Sequence, residues 1–180
     1  MIDILQDIMK EITVVLEKVD IEQLEEFLSY VQKDKRIFVD GEGRSGLMAK
    51  GFAMRLMHLG YRVFVIGETI TPSIEKEDIL IAVSGSGESS SVVADAKKAV
   101  KIGCSIIAVT SKPSSTIGEL ADMALIIPGT VKSEQGKERA SIQLLSSLFD
   151  QTLHITLDGI CLMLSRRDQF SNEEATKRHW

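Results

Sequence analysis

Cysteine is rare in this sequence. The 180 residues include only Cys104 and Cys161, and no CxxC spacing occurs. Two distant cysteines do not supply the several disulfides that hold small secreted domains together, and they lack the spacing of a zinc site. We interpret both as buried or unreactive thiols, and we expect the protein to work in a reducing compartment, the cytoplasm.

Clusters of basic residues and long apolar runs are also missing. The 21 Lys and Arg residues are outnumbered by 26 Asp and Glu residues, which gives a formal net charge of −5. Without a Lys/Arg-rich segment, we expect neither nucleic acid nor an anionic membrane as a partner. No apolar run approaches the roughly 18 to 20 residues that span a bilayer. The acidic, amphipathic start MIDILQDIMKEI is unlike a signal peptide.

The composition that is present is typical of a globular protein, with 44% hydrophobic and 26% charged residues. The length predicts a single domain, 1–180, that buries about 70% of its unfolded surface. Apolar residues at helical spacing predict two helices within 1–35, the second capped by Asp20. Strands and helices then alternate over 36–128, and 143–180 are predicted to form a long apolar helix and a tail.

Five short apolar segments within 36–128 predict strands. They are continuous apolar runs rather than alternating ones, which is typical of parallel strands covered by helices on both faces. Predicted helices at 45–59 and 88–102 end at Gly60 and Gly103. We therefore predict an α/β fold, a three-layer sandwich in which helices flank a five-stranded parallel sheet of flavodoxin-like or Rossmann-like type. The strand segments are RIFVDG, YRVFVIG, DILIAVSG, CSIIAVT and ADMALIIPG.

The loop GEGRSG, residues 41–46, follows the first strand and matches G-x-G-x-x-G. Its glycines allow the backbone to approach an anion at the N-terminus of a helix. A dinucleotide is one interpretation, with Glu68 at the ribose position. Arg44 and Ser45 argue against it, because a pyrophosphate site usually needs only backbone there. The chain length also leaves no catalytic domain beside a full dinucleotide fold.

A second loop, SGSGESSS at residues 84–91, follows the third strand. Its hydroxyl and amide donors converge in a tight turn that suits one compact anion. A flexible turn with a serine N-cap is the alternative. Because ligands bind beyond the carboxyl ends of parallel strands, the two loops meet at one edge and favour a phosphomonoester over a dinucleotide. The predicted ligand-binding residues here are Gly43, Arg44, Ser45, Ser84, Gly85, Ser86, Gly87 and Ser89.

These two loops resemble those of the sugar isomerase (SIS) domain family. The segments GRSGLMAKGFAMRLMHLGYRVFVIGETITP and SLFDQTLHITLDGICLML are similar to 6-phospho-3-hexuloisomerases. The resemblance implies a homotetramer and a site without metal or cofactor. It also implies that D-arabino-3-hexulose 6-phosphate and D-fructose 6-phosphate are interconverted through a cis-enediol. The resemblance further implies the ribulose monophosphate pathway, for formaldehyde fixation or detoxification, or for pentose synthesis run in reverse.

Moving a carbonyl along a sugar requires a base and a group that stabilises an oxyanion. Asp150 is the candidate base, on a predicted polar stripe with Gln143, Ser147 and His154. From the pattern alone, a solvated helix face is the alternative. The resemblance places the family's base at Asp150, where the family usually has glutamate. The preceding IQLLSS also differs from the family's usual Gln-Pro-x-Gly-Ser.

Two histidines complete the predicted catalytic set. His179 matches an Arg-His pair near the family's C-terminus and is predicted to carry a proton for a sugar oxygen; a frayed terminus is the alternative. His58 lies about 20 Å from Ser45 along one helix. Its predicted place is therefore a subunit interface or an adjacent subunit's site, with helix capping as the alternative. Glu68 and Thr71 are predicted to bind the substrate, Glu68 by contacting sugar hydroxyls or by orienting Arg44, and an exposed turn is the alternative.

The leading hypothesis is thus a homo-oligomeric isomerase of a hexulose phosphate. SIS domains also act as sugar-phosphate sensors in regulatory proteins, so a non-catalytic sensor is a second hypothesis. No helix-turn-helix segment accompanies the predicted domain, which argues against a DNA-binding regulator. An isomerase of another phosphosugar, such as an arabinose or heptose phosphate, is a third hypothesis.

Overall fold

Five parallel strands form the centre of the protein in a computed structural model, which describes residues 2–180. Neighbouring strands are parallel throughout, in the order β2-β1-β3-β4-β5. This arrangement confirms the predicted parallel sheet. The strands are β1 (Arg36–Gly41), β2 (Arg62–Val65), β3 (Ile79–Val83), β4 (Ser105–Thr110) and β5 (Met123–Ile126).

Helices cover both faces of this sheet. They are α1 (Ile2–Leu16), α2 (Ile21–Tyr30), α3 (Gly43–His58), α4 (Ser90–Ile102), α5 (Thr116–Leu120), α6 (Ser147–Arg167) and α7 (Asn172–Thr176), with a 3-10 turn at Gly136–Glu138. One cluster of buried apolar side chains joins the sheet to α1, α2, α3 and α6, and a second joins it to α4 and α5. The result is the predicted three-layer sandwich, because apolar strands are stable only when both of their faces are covered.

The start of the long C-terminal helix differs from the sequence prediction. α6 begins at Ser147, whereas the apolar pattern predicts a helix from residue 143. Leu145 has a φ of 52°, which no α-helix accommodates. Gln143 therefore does not share a helical stripe with Asp150. Instead its side-chain amide donates a hydrogen bond to Glu11 of α1 at 3.0 Å.

The strand order reverses beside β1. After β1 the chain forms β2 on one side of it, then crosses to form β3 on the other side. Gly41 and Val83, the last residues of β1 and β3, are paired in the register of the sheet. The loops that follow the two strands are therefore adjacent at the carboxyl edge. Open α/β sheets bind ligands at such a reversal.

Candidate active site

A cavity of about 530 Å³ opens at this reversal. Three parts of the chain form its wall: the start of α3, the loop between β3 and α4, and the segment that leads from β5 into α6. A volume of this size is in the range of small-molecule sites. The lining residues are Glu42, Gly43, Arg44, Ser45, Ser84, Gly85, Ser86, Glu88, Ser89, Ser90, Val131, Lys132, Leu145, Ser146, Ser147 and Asp150.

The loop between β3 and α4 presents several hydrogen-bond donors to this cavity. Ser84 Oγ lies 3.0 Å from Ser89 Oγ and accepts a hydrogen bond from the Gly87 N–H at 3.1 Å. Ser89 is the N-cap of α4 but its side chain makes no capping bond, so its only hydrogen-bond contact among residues 2–180 is with the Ser84 hydroxyl, beside the cavity. Donors converging at the N-terminus of a helix of this length form an anion site.

Gly87 allows this turn to form. Its φ is +69°, and a Cβ at this position would lie only 1.9 Å from Ser115 Oγ. Any other residue would force the loop away from the start of α5, because Ser115 is buried and caps that helix. The glycine in SGSG is thus required by close packing as well as by its backbone angle.

The start of α3 forms the opposite wall. Gly46 lets this helix approach the end of β1, since a Cβ there would meet Gly41 O at 2.5 Å. This approach places Arg44 and Ser45 against the first turn of α6. Arg44 Nη1 donates to Ser147 Oγ at 2.8 Å, and Ser45 Oγ donates to Asp150 Oδ1 at 2.6 Å. Two positions predicted from separate motifs, Ser45 and Asp150, are therefore in direct contact.

Asp150 is almost fully buried, with 2% of its surface exposed, yet it lies in the cavity wall. Burial raises the pKa of its carboxyl, while the Ser45 hydrogen bond and the positive charge of Arg44 oppose that rise. Arg44 Nε is 3.9 Å from Asp150 Oδ2. A carboxylate whose pKa is raised toward the working pH is a stronger base, and an adjacent guanidinium can stabilise an anion formed beside it.

Several cavity residues were not predicted from the sequence. Glu42 accepts a hydrogen bond from Ser91 Oγ at 3.0 Å, which ties the two ligand loops together. The backbone N–H of Lys132 donates to Ser146 Oγ at 3.0 Å and fixes the segment after β5 against α6. The available signal was topological: Lys132 follows β5, whose carboxyl end lies at the same edge as those of β1 and β3.

Glu68 and Thr71 lie outside the cavity wall. Glu68 is exposed and forms an ion pair with Lys50 at 2.8 Å, and the Thr71 hydroxyl donates to the carbonyl of Val65. Both follow β2, the edge strand on the side of β1 away from β3, and neither lines the cavity. Their predicted contact with a sugar stays a prediction.

The two predicted histidines lie next to each other, at the far end of α3. The ring centroids of His58 and His179 are 5.2 Å apart, with 27° between the ring planes. Burial, together with Arg55 and His179, lowers the pKa of His58. His58 lies thirteen positions after Ser45 on this helix, a distance of about 20 Å. The structure brings this pair together but not into the cavity of its own chain, and their catalytic roles stay predictions.

Neither a metal-binding cluster nor a membrane-spanning helix is found in the part of the chain that the structure describes. Among residues 2–180, no group of three or more histidine, cysteine, aspartate or glutamate side chains is arranged to hold a metal ion. No helix in this part of the chain is both long enough and apolar enough to cross a bilayer. The cavity itself is lined by serine hydroxyls, glycine backbone, the buried Asp150 carboxylate and a few charged side chains.

Comparison with known proteins places the chain in a family. It is 41% identical over 162 residues to a 3-hexulose-6-phosphate isomerase from Mycobacterium gastri, with 90% of this chain and 81% of the relative covered. It is 37% identical over 158 residues to a protein of the same name from Bacillus subtilis, with 88% and 85% covered.

A solved structure from Methanococcus jannaschii, described as inferring a molecular function of 3-hexulose-6-phosphate isomerase, is similar to the whole fold. It has a TM-score of 0.84 and 35% sequence identity, with 99% of this chain and 98% of that chain covered. The family model for the SIS domain matches residues 30–156, which include the sheet and both ligand loops. The chain belongs to the SIS domain family.

Proposed function

We propose that the protein is an isomerase that interconverts D-arabino-3-hexulose 6-phosphate and D-fructose 6-phosphate. The observation that carries the proposal is the buried Asp150 carboxylate in the wall of a cavity that hydroxyl-rich loops line on the other side. The relatives that bear the name 3-hexulose-6-phosphate isomerase support this substrate. No metal or cofactor takes part in the proposed reaction.

The phosphate is proposed to bind between the two ligand loops. Ser84, Ser86 and Ser89 offer hydroxyls, and the backbone around Gly87 and the N-terminus of α4 offer amide donors. Hydrogen bonds to an anion need no net positive charge on the protein, so the acidic chain can still hold a phosphate ester here. The Arg44 guanidinium then faces the sugar, close to Asp150.

In the proposed reaction Asp150 removes the proton from C2 of the 3-hexulose. The electrons of that C–H bond form the C2–C3 double bond, and the C3 oxygen takes up the negative charge. Arg44 stabilises this oxyanion. A proton then moves from the oxygen on C2 to the oxygen on C3, and Asp150 returns its proton to C3. A 2-ketose, fructose 6-phosphate, results, and every step also runs in reverse.

The transfer between the two oxygens is the step proposed for a histidine. His58 and His179 are at the far end of α3 within one chain. We therefore place this pair in the site of a neighbouring subunit of a homo-oligomer, which the resemblance implies is a tetramer. Glu68 and Thr71 are proposed to meet sugar hydroxyls at the same boundary. Such an enzyme would act in the cytoplasm, in the ribulose monophosphate pathway of formaldehyde fixation.

The test is conversion of purified 3-hexulose 6-phosphate to fructose 6-phosphate by the wild-type chain and by Asp150→Asn. Asparagine keeps the shape of the side chain but cannot accept the C2 proton, so kcat should fall by about 100-fold or more. Fructose 6-phosphate binding, measured by calorimetry, should change little. Asp158→Asn is the matched control, since Asp158 lies on the same helix with its side chain 58% exposed.

Three results would contradict the assignment. Full activity in Asp150→Asn would show that another group is the base. Tight binding of sugar phosphates without turnover of any of them would indicate the sensor. Turnover of an arabinose or heptose phosphate, with none of the hexulose phosphate, would indicate a different isomerase of the same family.

A further inference from the structure

The hydroxyl of Ser45 lies between the loop proposed to bind phosphate and the Asp150 carboxylate. It lies in the first turn of α3, in the glycine-rich loop proposed to hold phosphate, and it lines the cavity. It also donates to Asp150 Oδ1 at 2.6 Å, which is a short hydrogen bond. A serine hydroxyl has a single proton to donate. It therefore cannot serve Asp150 and a bound phosphate oxygen at the same time.

A phosphate ester is a strong competitor for that proton. The ester carries close to two negative charges at neutral pH and several acceptor oxygens. At the N-terminus of α3 the free backbone N–H groups attract it to the same place that the Ser45 hydroxyl occupies. Asp150 has a second partner besides the hydroxyl, because Arg44 Nε lies 3.9 Å from its Oδ2. The carboxylate is thus not left without a partner.

We infer that Ser45 couples phosphate binding to the base: an incoming phosphate ester draws the Ser45 hydroxyl away from Asp150 and leaves the carboxylate free to take the sugar proton. The inference rests on the proposed function, because it takes Asp150 as the base. It makes Ser45 a positioning residue. The base is then held by a hydrogen bond in the empty site and is released only when the correct end of a substrate is bound.

The surroundings of Asp150 determine how its pKa changes when the Ser45 hydrogen bond is lost. The Ser45 hydrogen bond is one of two influences that hold down the pKa of this buried carboxyl, and Arg44 is the other. Loss of that bond raises the pKa and strengthens the base. The charged side chains that line the cavity with Asp150 are Glu42, Arg44, Glu88 and Lys132. On its own helix, one turn further along, His154 is 3.6 Å from Asp158.

The test measures the pKa of Asp150 directly. The full-length protein is labelled with ¹³C at aspartate carboxyls, and the Asp150 signal is identified by its loss in Asp150→Asn. Its titration is followed with and without saturating inorganic phosphate, in the wild type, Ser45→Ala and Ser89→Ala. Ser89→Ala is the matched control, because it removes a hydroxyl from the other ligand loop that has no hydrogen bond to Asp150.

In the wild type, phosphate should raise the Asp150 pKa, through the lost hydrogen bond and through the charge of the anion. In Ser45→Ala the pKa should already be raised without phosphate, and phosphate should add only the smaller part due to charge. Ser89→Ala should weaken phosphate binding about tenfold. At saturation, however, it should show the wild-type shift. Ser45→Thr keeps a hydroxyl and should show the wild-type pattern. It therefore distinguishes the loss of the hydroxyl in Ser45→Ala from a folding defect.

Equal phosphate-induced shifts in the wild type and in Ser45→Ala would overturn the inference, and so would the absence of any shift in the wild type. Neither measurement needs turnover, so the result is independent of the hexulose phosphate assay. A wild type that turns over its substrate without the coupled shift keeps the proposed function and loses the inference. A coupled shift in a protein without turnover contradicts the proposed function alone.

Discussion

Asp40 is a buried carboxyl that the proposed chemistry does not use. It is 6% exposed, and its Oδ2 has no hydrogen-bond partner among residues 2–180. Burial and the negative charges of Asp95 and Glu42 raise its pKa to about 6, against a smaller opposing effect of the Gly41 N–H and Lys98. At neutral pH the folded protein therefore holds a poorly solvated charge beside the ligand loop, which costs stability.

Asp40→Asn should stabilise the protein at neutral pH. The folded pKa lies above the ordinary value of 3.8, so the folded state binds more protons than the unfolded state between the two values. Stability contributed by this group is lost as pH rises through about 6. The variant should gain up to about 3 kcal/mol over the wild type at pH 7.5, and close to nothing below pH ~4.

Urea denaturation at the two pH values checks this, with the exposed Asp34→Asn as the matched control. A stability difference between Asp40→Asn and the wild type that does not change with pH would show that the Asp40 carboxyl titrates normally.

The segment between residue 139 and the start of α6 is held by contacts that no local pattern reveals. Arg139 donates to the carbonyls of Gln143 and Leu145, and Glu11 accepts hydrogen bonds from Ser141 and the Ile142 N–H. These contacts hold the segment against α1 as a series of bends and a turn, although its apolar spacing favours a helix. Sequence reasoning predicted the helix too early because tertiary hydrogen bonds outweigh local propensity here.

Leu145 provides a test of this strained segment. Its φ of 52° is unfavourable for any residue with a Cβ, and its side chain is 71% exposed, so little packing is at stake. Leu145→Gly should therefore be more stable than Leu145→Ala by about 1 kcal/mol, since relief of strain exceeds the entropy that glycine adds to the unfolded chain. Thermal denaturation of the two variants makes the comparison. A less stable glycine variant would mean that this backbone angle carries no strain.

The sequence predicted more of the fold of the whole chain than of the contacts within its site. Continuous apolar strands, glycine helix ends and the two loops predicted the parallel sheet and the edge where a ligand binds. The contact between Ser45 and Asp150 joins residues 105 apart in sequence. No spacing rule reveals such a contact, because it depends on how α3 packs against α6. The same holds for the stacking of His179 on His58, whereas Lys132 could have been placed at this edge from its position after β5.

The outer face of α1 is where we expect the proposed homo-oligomer to form an interface. Large apolar side chains stand out from it with about half or more of their surface exposed: Ile4, Leu5, Met9 and Val14. An apolar depression of about 670 Å³ runs along the same face. A contiguous apolar patch on a helix that already packs on α6 with its other side indicates a protein interface.

If the proposed homo-oligomer forms through this face, Met9→Lys should shift it toward smaller species, because an interface core does not accommodate an unpaired ammonium group. Light scattering on a sizing column measures the mass, which for a tetramer is about four times the 19.8 kDa of one chain. Val100→Lys is the control, since it places the same charge on the opposite layer at a residue 46% exposed. If both variants kept the wild-type mass, or if the wild type were a monomer, α1 would not be the interface. A monomeric wild type would also leave the histidine pair without a neighbouring subunit's site.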